Sequence, residues 1–148
     1  MEQAATRSRF GPLTDPGVAW IVLCLALALH VGDEAANDFL SFYNPAVAGL
    51  REQLPLLPLP LFESESWLKG LAAVLLVLLA LSPFAFSRSS WMRPLSILFS
   101  AFMILNAMGH MVGSLYVGQI VPGTYSAPVL LTAGILLLIA ATRNWKPA

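Results

Sequence analysis

Four stretches of mostly apolar residues, separated by polar or proline-rich segments, dominate the chain. They run over residues 18–42, 67–86, 95–116 and 126–142. A helix needs about 20 mostly apolar residues to cross a hydrocarbon layer about 30 Å thick. The pattern therefore predicts four membrane-spanning helices, packed as an all-α bundle in a single domain over residues 1–148. The first stretch is purely apolar only as far as Leu29, and polar residues follow within it.

The composition supports a membrane protein and excludes several other classes. Hydrophobic residues make up 57% of the chain and charged residues 11%, whereas soluble domains carry about 25% charge. The eight basic and eight acidic residues cancel, and no basic cluster is present, which argues against nucleic acid as a partner. The single cysteine, Cys24, excludes an internal disulfide framework and a cysteine-based zinc site.

The placement of basic residues predicts the orientation in the membrane. Cytoplasmic loops carry an excess of Lys and Arg, and here six basic residues fall in the two termini and the second connection, namely Arg7, Arg9, Arg88, Arg93, Arg143 and Lys146. Arg51 and Lys69 lie on the other side. Both termini are thus expected in the cytoplasm. The pattern fits a multi-pass protein of a bacterial inner membrane. Such a protein could act alone, as a homo-oligomer or as part of a membrane complex. The competing interpretation is a cleaved signal peptide, with Arg7 and Arg9 as its charged region and residues 18–29 as its apolar core.

A proline-rich segment, residues 54–62, joins the first two spans. Three prolines in six positions prevent a regular helix, yet every other residue in the segment is apolar. We expect an extended flap on the bilayer interface or over the helix ends; a simple apolar linker is the alternative.

Polar residues fill the outer half of the first span. His30, Glu34 and Asn37 are spaced i, i+4 and i+7 and share one helix face, with Asp33 and Asp38 on its two flanks. Ionisable groups at membrane depth cost a few kcal/mol each and mark functional sites by default. This stripe is therefore the first candidate site.

A second polar stripe lies on the third span, where Asn106 and His110 are one helical turn apart. At about 1.5 Å per residue, His30 and Asn106 both come just past the membrane midplane. Glu34 and His110 then share a level nearer the outer side. We therefore expect the two stripes to meet. Tyr125, at the outer end of the last connection, either anchors the interface or adds a hydroxyl to the site.

Three chemical interpretations of these residues stay open. Histidine and carboxylate are ligand types for zinc or iron, which makes His30, Glu34 and His110 candidate metal ligands. The same residues with Asp33 are also candidates for metal-free acid–base catalysis or proton transfer. The third interpretation is a hydrogen-bonded lock that only fixes helix packing. Supporting roles fall to Asn37, Asp38, Asn106 and Tyr125.

The residues resemble those of the HXXEE-domain membrane proteins, small multi-span proteins named for a His-x-x-Glu-Glu motif in the first span. Here the motif reads His30-Val31-Gly32-Asp33-Glu34, with aspartate as the first acid. Asn106 and His110 match the later helix of that family, and Tyr125-Ser126-Ala127-Pro128 matches its following turn. The resemblance implies a shared polar site in a helical membrane protein.

These observations predict a membrane-embedded site near the outer leaflet that acts on a lipid-like or other apolar small molecule. Two alternatives come from other classes: a proton-coupled transporter or accessory subunit, and a structural partner protein. Whether the protein is an enzyme stays open at this point.

Overall fold

The computed structural model describes residues 11–56 and 58–145, and this part of the chain contains helices and no strands. A short 3-10 turn, Pro12–Thr14, precedes the α-helices. These are α1 (Pro16–Ala36), α2 (Phe39–Gln53), α3 (Ser64–Ala80), α4 (Ser82–Phe86), α5 (Met92–Val117) and α6 (Ala127–Arg143). The prediction of an all-α protein is confirmed.

Three helical segments are long and apolar enough to cross a membrane. They are α1, the nearly continuous pair α3 and α4 over Ser64–Phe86, and α5. The fourth predicted span falls on α6, which is apolar but has only 17 residues. The helices thus have the length and composition of a membrane protein.

The first helix ends earlier than the hydropathy pattern predicts. Rather than continuing to residue 42, α1 stops at Ala36, and Asp38 adopts a left-handed backbone conformation with φ of 53°. The Asn37 amide donates to the Asp33 carbonyl at 2.9 Å and so satisfies a free acceptor at the helix end. A separate helix, α2, then begins at Phe39. The sequence pattern did not predict this helix.

The core lies where α6 packs between α1 and α5. Its largest fully buried apolar side chains are Trp20, Leu23, Met92, Leu130 and Leu137. Gly134 allows the close approach of α5, because a Cβ there would lie 2.9 Å from Cγ1 of Ile104. By contrast, α3 packs mainly against α1, with a ring contact between its Trp67 and Phe39 of α2, and none of its residues is fully buried.

The basic residues that are predicted to face the cytoplasm and belong to the described part of the chain lie at one end of the bundle. Arg88 Nη2 contacts Asp15 Oδ2 at 2.9 Å, and Arg93 Nε donates to the Ala141 carbonyl at 3.1 Å. Burial raises the pKa of Asp15, but the hydrogen bonds from Arg88 and from the first backbone amides of α1 outweigh it, so the pKa lies below its ordinary value. Arg7, Arg9 and Lys146 lie outside the described residues.

The proline-rich segment is attached to α2. The Asn44 amide donates to the Phe62 carbonyl at 2.8 Å and accepts from the Phe62 amide at 3.1 Å. Tyr43 Oη donates to the Pro60 carbonyl at 3.3 Å. Leu56 projects outward, 95% exposed. Apart from Leu57, which lies outside the described residues, the segment is an irregular strip held along α2, as expected from its prolines.

Candidate metal centre

Three buried side chains from α1 and α5 meet toward the end of the bundle opposite the Arg88–Asp15 pair. Glu34 Oε1 lies 3.1 Å from His110 Nε2 and 3.6 Å from His30 Nε2. The exposed fractions are 1% for His30, 5% for Glu34 and 8% for His110. The two imidazole rings stand edge to face with centroids 4.8 Å apart. The predicted meeting of the two polar stripes is therefore confirmed.

The turn before α6 holds the ring of His110. Its Nδ1 lies 2.7 Å from the Pro122 carbonyl oxygen. Because a carbonyl oxygen only accepts, the hydrogen of the neutral ring sits on Nδ1. The lone pair on Nε2 then points toward Glu34.

The same turn holds His30 through Ser126. The Ser126 hydroxyl lies 2.8 Å from His30 Nδ1 and 2.7 Å from Asp33 Oδ2, and the Ser126 amide also donates to that carboxylate oxygen at 2.9 Å. The serine has one hydroxyl proton, which goes to the carboxylate, so His30 Nδ1 donates to the serine oxygen. His30 therefore also directs the lone pair of its Nε2 toward Glu34.

With both rings neutral, these hydrogen bonds leave the Nε2 atoms and the Glu34 carboxylate as acceptors that face one another. The ligand atoms of His30, Glu34 and His110 all lie within 4.8 Å of one another. His30 Nε2 and Asn106 Oδ1 are buried and have no hydrogen-bond partner among the described residues. Buried acceptors that face one another repel unless a cation or a proton lies between them. Two histidines and a carboxylate are a known ligand set of catalytic zinc and of non-haem iron.

Gly123 lets the turn approach both rings. Its φ of +89° is a conformation that residues with a side chain rarely adopt. A Cβ there would lie 2.7 Å from His110 Cε1 and 3.0 Å from His30 Cε1. The backbone at Gly123 thus closes the site from the side of the turn.

An apolar cavity of about 430 Å³ leads to the site between α1, α3 and α5. Its polar end is formed by His30, Glu34 and Asn106. Apolar side chains line the rest, among them Leu27, Leu71, Val74, Leu78, Leu98 and Phe102. This volume and lining are typical of small-molecule sites, which are mostly apolar with few polar groups.

Three of the remaining predicted site residues lie apart from the three candidate ligands. Asn37, Asp38 and Tyr125 line a second, more polar cavity of about 460 Å³. Asn37 and Asp38 are exposed, because α1 ends before them, and Asn37 Nδ2 is bound to Asp33 Oδ1 at 2.8 Å. Asp33 itself acts on His30 through Ser126 rather than facing Glu34. Asn106 is the predicted supporting residue that lines the apolar cavity beside the site.

Sequence reasoning missed the contribution of the turn before α6. Pro122, Gly123 and Ser126 hold both imidazoles, yet none of them was singled out as a site residue. The signal was present, because Pro-Gly is a strong turn dipeptide and Ser126 belongs to the turn that resembles the HXXEE-domain pattern. Its position against His30, however, depends on tertiary packing.

Comparison of the chain with protein-family models, with curated proteins and with solved structures finds no match.

Proposed function

We propose that this chain is an integral membrane metalloprotein. It binds one divalent transition-metal ion, zinc or ferrous iron, through His30 Nε2, Glu34 and His110 Nε2, and acts on a lipid-like molecule. The observation that carries the proposal is the convergence of the ligand atoms of His30, Glu34 and His110 within 4.8 Å of one another, with His30 Nε2 buried and without a hydrogen-bond partner among the described residues.

The hydrogen bonds around the three residues support a metal rather than a packing lock. Metal-binding histidines almost always donate their other ring N–H to a carboxylate, a backbone carbonyl or a similar acceptor. His110 does so to Pro122, and His30 does so to Ser126, which is in turn held by Asp33. A lock would hold both Nε2 atoms in hydrogen bonds. His110 Nε2 lies 3.1 Å from Glu34 Oε1, but His30 Nε2 lies 3.6 Å from it and has no hydrogen-bond partner among the described residues.

The number of ligands favours a catalytic site. Structural zinc sites usually have four protein ligands, whereas catalytic sites have three and leave a position for water or substrate. An ion in such a site supplies a Lewis acid or an activated water. The apolar cavity reaches the site at His30 and Glu34, and Asn106 lines the cavity beside them.

The depth of the site in the membrane is inferred from the position of His30 on α1. It lies 14 residues after Pro16, or about 21 Å along the helix, and the Arg88–Asp15 pair marks the helix start. With both termini in the cytoplasm, as the basic residues predict, the site lies in the outer half of the bilayer. We place the protein in a bacterial inner membrane as part of this proposal.

One specific contact favours a second candidate function. The 3.1 Å between Glu34 Oε1 and His110 Nε2 is a hydrogen-bond distance, so a single proton shared there would satisfy both atoms. In that case the site is a metal-free proton relay of a transporter or accessory subunit. It would leave His30 Nε2 without a partner, and for that reason we rank it second.

The resemblance to HXXEE-domain proteins is consistent with the proposal. In this chain the first acid of the motif, Asp33, faces Ser126, and the second, Glu34, faces the histidines. The replacement of glutamate by aspartate thus falls on the position that orients a histidine through a serine. Membership of that family stays a prediction.

Elemental analysis tests the proposal. The protein is purified with a tag that contains no histidine and without chelators, and its metal content is measured per chain. We expect close to one zinc or iron per chain, lost in Glu34→Gln and in His110→Ala, and retained in the control Glu65→Gln, an exposed carboxylate paired with Lys69. A folded protein without metal that also takes up none from added zinc or ferrous iron would contradict it.

A further inference from the structure

We propose that the cavity between α1, α3 and α5 binds the hydrocarbon chain of a neutral lipid alcohol, with the hydroxyl group at Asn106. This inference deepens the proposed function, because it names the substrate class of the same site. Its supporting observations concern the cavity and would hold for either the metal or the proton form of the site.

The apolar part of the cavity suits one hydrocarbon chain that enters from the bilayer. The cavity measures about 430 Å³, and its lining is aliphatic or aromatic except at the site end. Three lining residues are also strongly exposed, Val74 at 52%, Leu98 at 68% and Phe102 at 64%. The cavity therefore opens toward the side of the bundle at membrane depth, where lipid chains surround the protein.

The weak packing of α3 agrees with this route. Helix α3 rests on α1 while α5 packs on α6, and no residue of α3 is fully buried. A helix with so little buried surface moves at low cost. A hydrocarbon chain can thus enter between α3 and α5 without disrupting the core around α6.

The polar end of the cavity selects the head group. Asn106 Oδ1 is a buried acceptor without a hydrogen-bond partner among the described residues. A ligand that reaches it must therefore bring a hydrogen-bond donor. No lysine or arginine is among the residues that line the cavity. A fatty carboxylate or a diester phosphate has no proton to donate to Asn106 Oδ1, whereas a hydroxyl group has one.

A second groove on the molecule provides the contrast. It lies between α1 and α6, measures about 580 Å³, and is lined by apolar residues such as Val22, Leu25 and Val129. It is larger, but its lining includes neither histidine nor carboxylate. Lipid contact there should show no preference for the head group.

The experiment uses a long-chain alcohol that carries a diazirine in its chain, and the carboxylic acid of the same chain length. Each probe is irradiated with the full-length protein in nanodiscs of neutral phospholipid, and labelled peptides are identified by mass spectrometry. We expect the alcohol to label α3 and α5 about tenfold more than the acid does, because Asn106 Oδ1 receives a donor from the alcohol only. An excess of unlabelled alcohol should compete.

Matched variants locate the binding site. Val74→Trp and Leu98→Trp each place a large ring in the cavity at a position that is already exposed, so neither disturbs the core. Labelling should fall by about tenfold in both. Val129→Trp, equally exposed at 48% but in the other groove, should label as the parent protein does. Equal labelling by alcohol and acid, or labelling unaffected by both cavity variants, would overturn the inference.

Metal content, measured on the same samples, separates the two proposals. A protein that holds metal but shows no preference for the alcohol refutes the lipid alcohol and leaves the metal centre standing. A protein without metal that still labels selectively supports the lipid alcohol and removes the metal proposal.

Discussion

Replacing Glu34 by glutamine should affect the metal-free and metal-bound proteins in opposite directions. In the metal-free protein the carboxylate faces two imidazole lone pairs at 3.1 and 3.6 Å. A glutamine has nearly the same shape and brings an N–H group that donates to His110 Nε2. The variant should thus be more stable than the parent without metal, and it should lose the stabilisation that metal gives.

The structure sets the size of both effects. One new buried hydrogen bond contributes about 1 kcal/mol, and for a chain of this length that raises Tm by about 2–4 °C. A metal ion at a hundred times its Kd stabilises the parent by about 2.7 kcal/mol, which corresponds to roughly 5–10 °C. With metal, the order of the two proteins should therefore reverse.

Thermal unfolding in detergent measures these shifts. Parent and Glu34→Gln are stripped with chelator, and each is then heated with and without zinc or ferrous iron. Glu65→Gln removes the same charge from an exposed position and should behave as the parent in both conditions. The reasoning fails if metal shifts Glu34→Gln as much as the parent, or if the stripped variant is clearly less stable than the stripped parent.

Three further predictions follow from other contacts. Ser126→Ala removes the partner of His30 Nδ1 and should weaken metal binding about 10–100-fold, measured by competition with a zinc indicator; unchanged affinity would show that the serine does not orient the ring. Because the pKa of Asp15 is lowered, its pairing with Arg88 should stabilise the protein fully above pH 3.8 and lose this effect as the pH falls through the lowered pKa. Asp15→Asn should remove that part of the pH dependence of Tm, and an identical pH profile would contradict the pairing. With Cys24 replaced, a cysteine at Glu52 should react with an impermeant maleimide from outside, while one at Ser90 should react only after permeabilisation; the reverse pattern would invert the topology.

The long helices could be predicted because hydropathy acts over many residues at once. Helices α1, α3 and α5 lie on predicted spans, and the shared level of Glu34 and His110 followed from a rise per residue that is the same in every α-helix. Counting residues along a helix to estimate depth requires only the positions at which the helices enter the membrane.

Local events were harder to predict. The break at Asp38 depends on a left-handed residue and on Asn37 bonding back to Asp33, while the apolar content of Phe39 and Leu40 continues the hydropathy pattern. Asn37 was therefore placed on the site face although it lies at the helix end. The role of Ser126 could not be predicted either, because it is 96 residues from His30 in sequence and only the packing of α6 against α1 brings them together.

The most direct test of the central claim is X-ray absorption at the K-edge of the metal that the purified protein holds. A centre built from His30, Glu34 and His110 should show two imidazole nitrogens at about 2.0–2.1 Å from the metal and one or more oxygen ligands. It should show no sulfur at about 2.3 Å. The His110→Ala variant should lose one imidazole or the ion itself. A spectrum with sulfur ligands or without histidine, or a protein that holds no metal at all, would contradict a centre built from His30, Glu34 and His110.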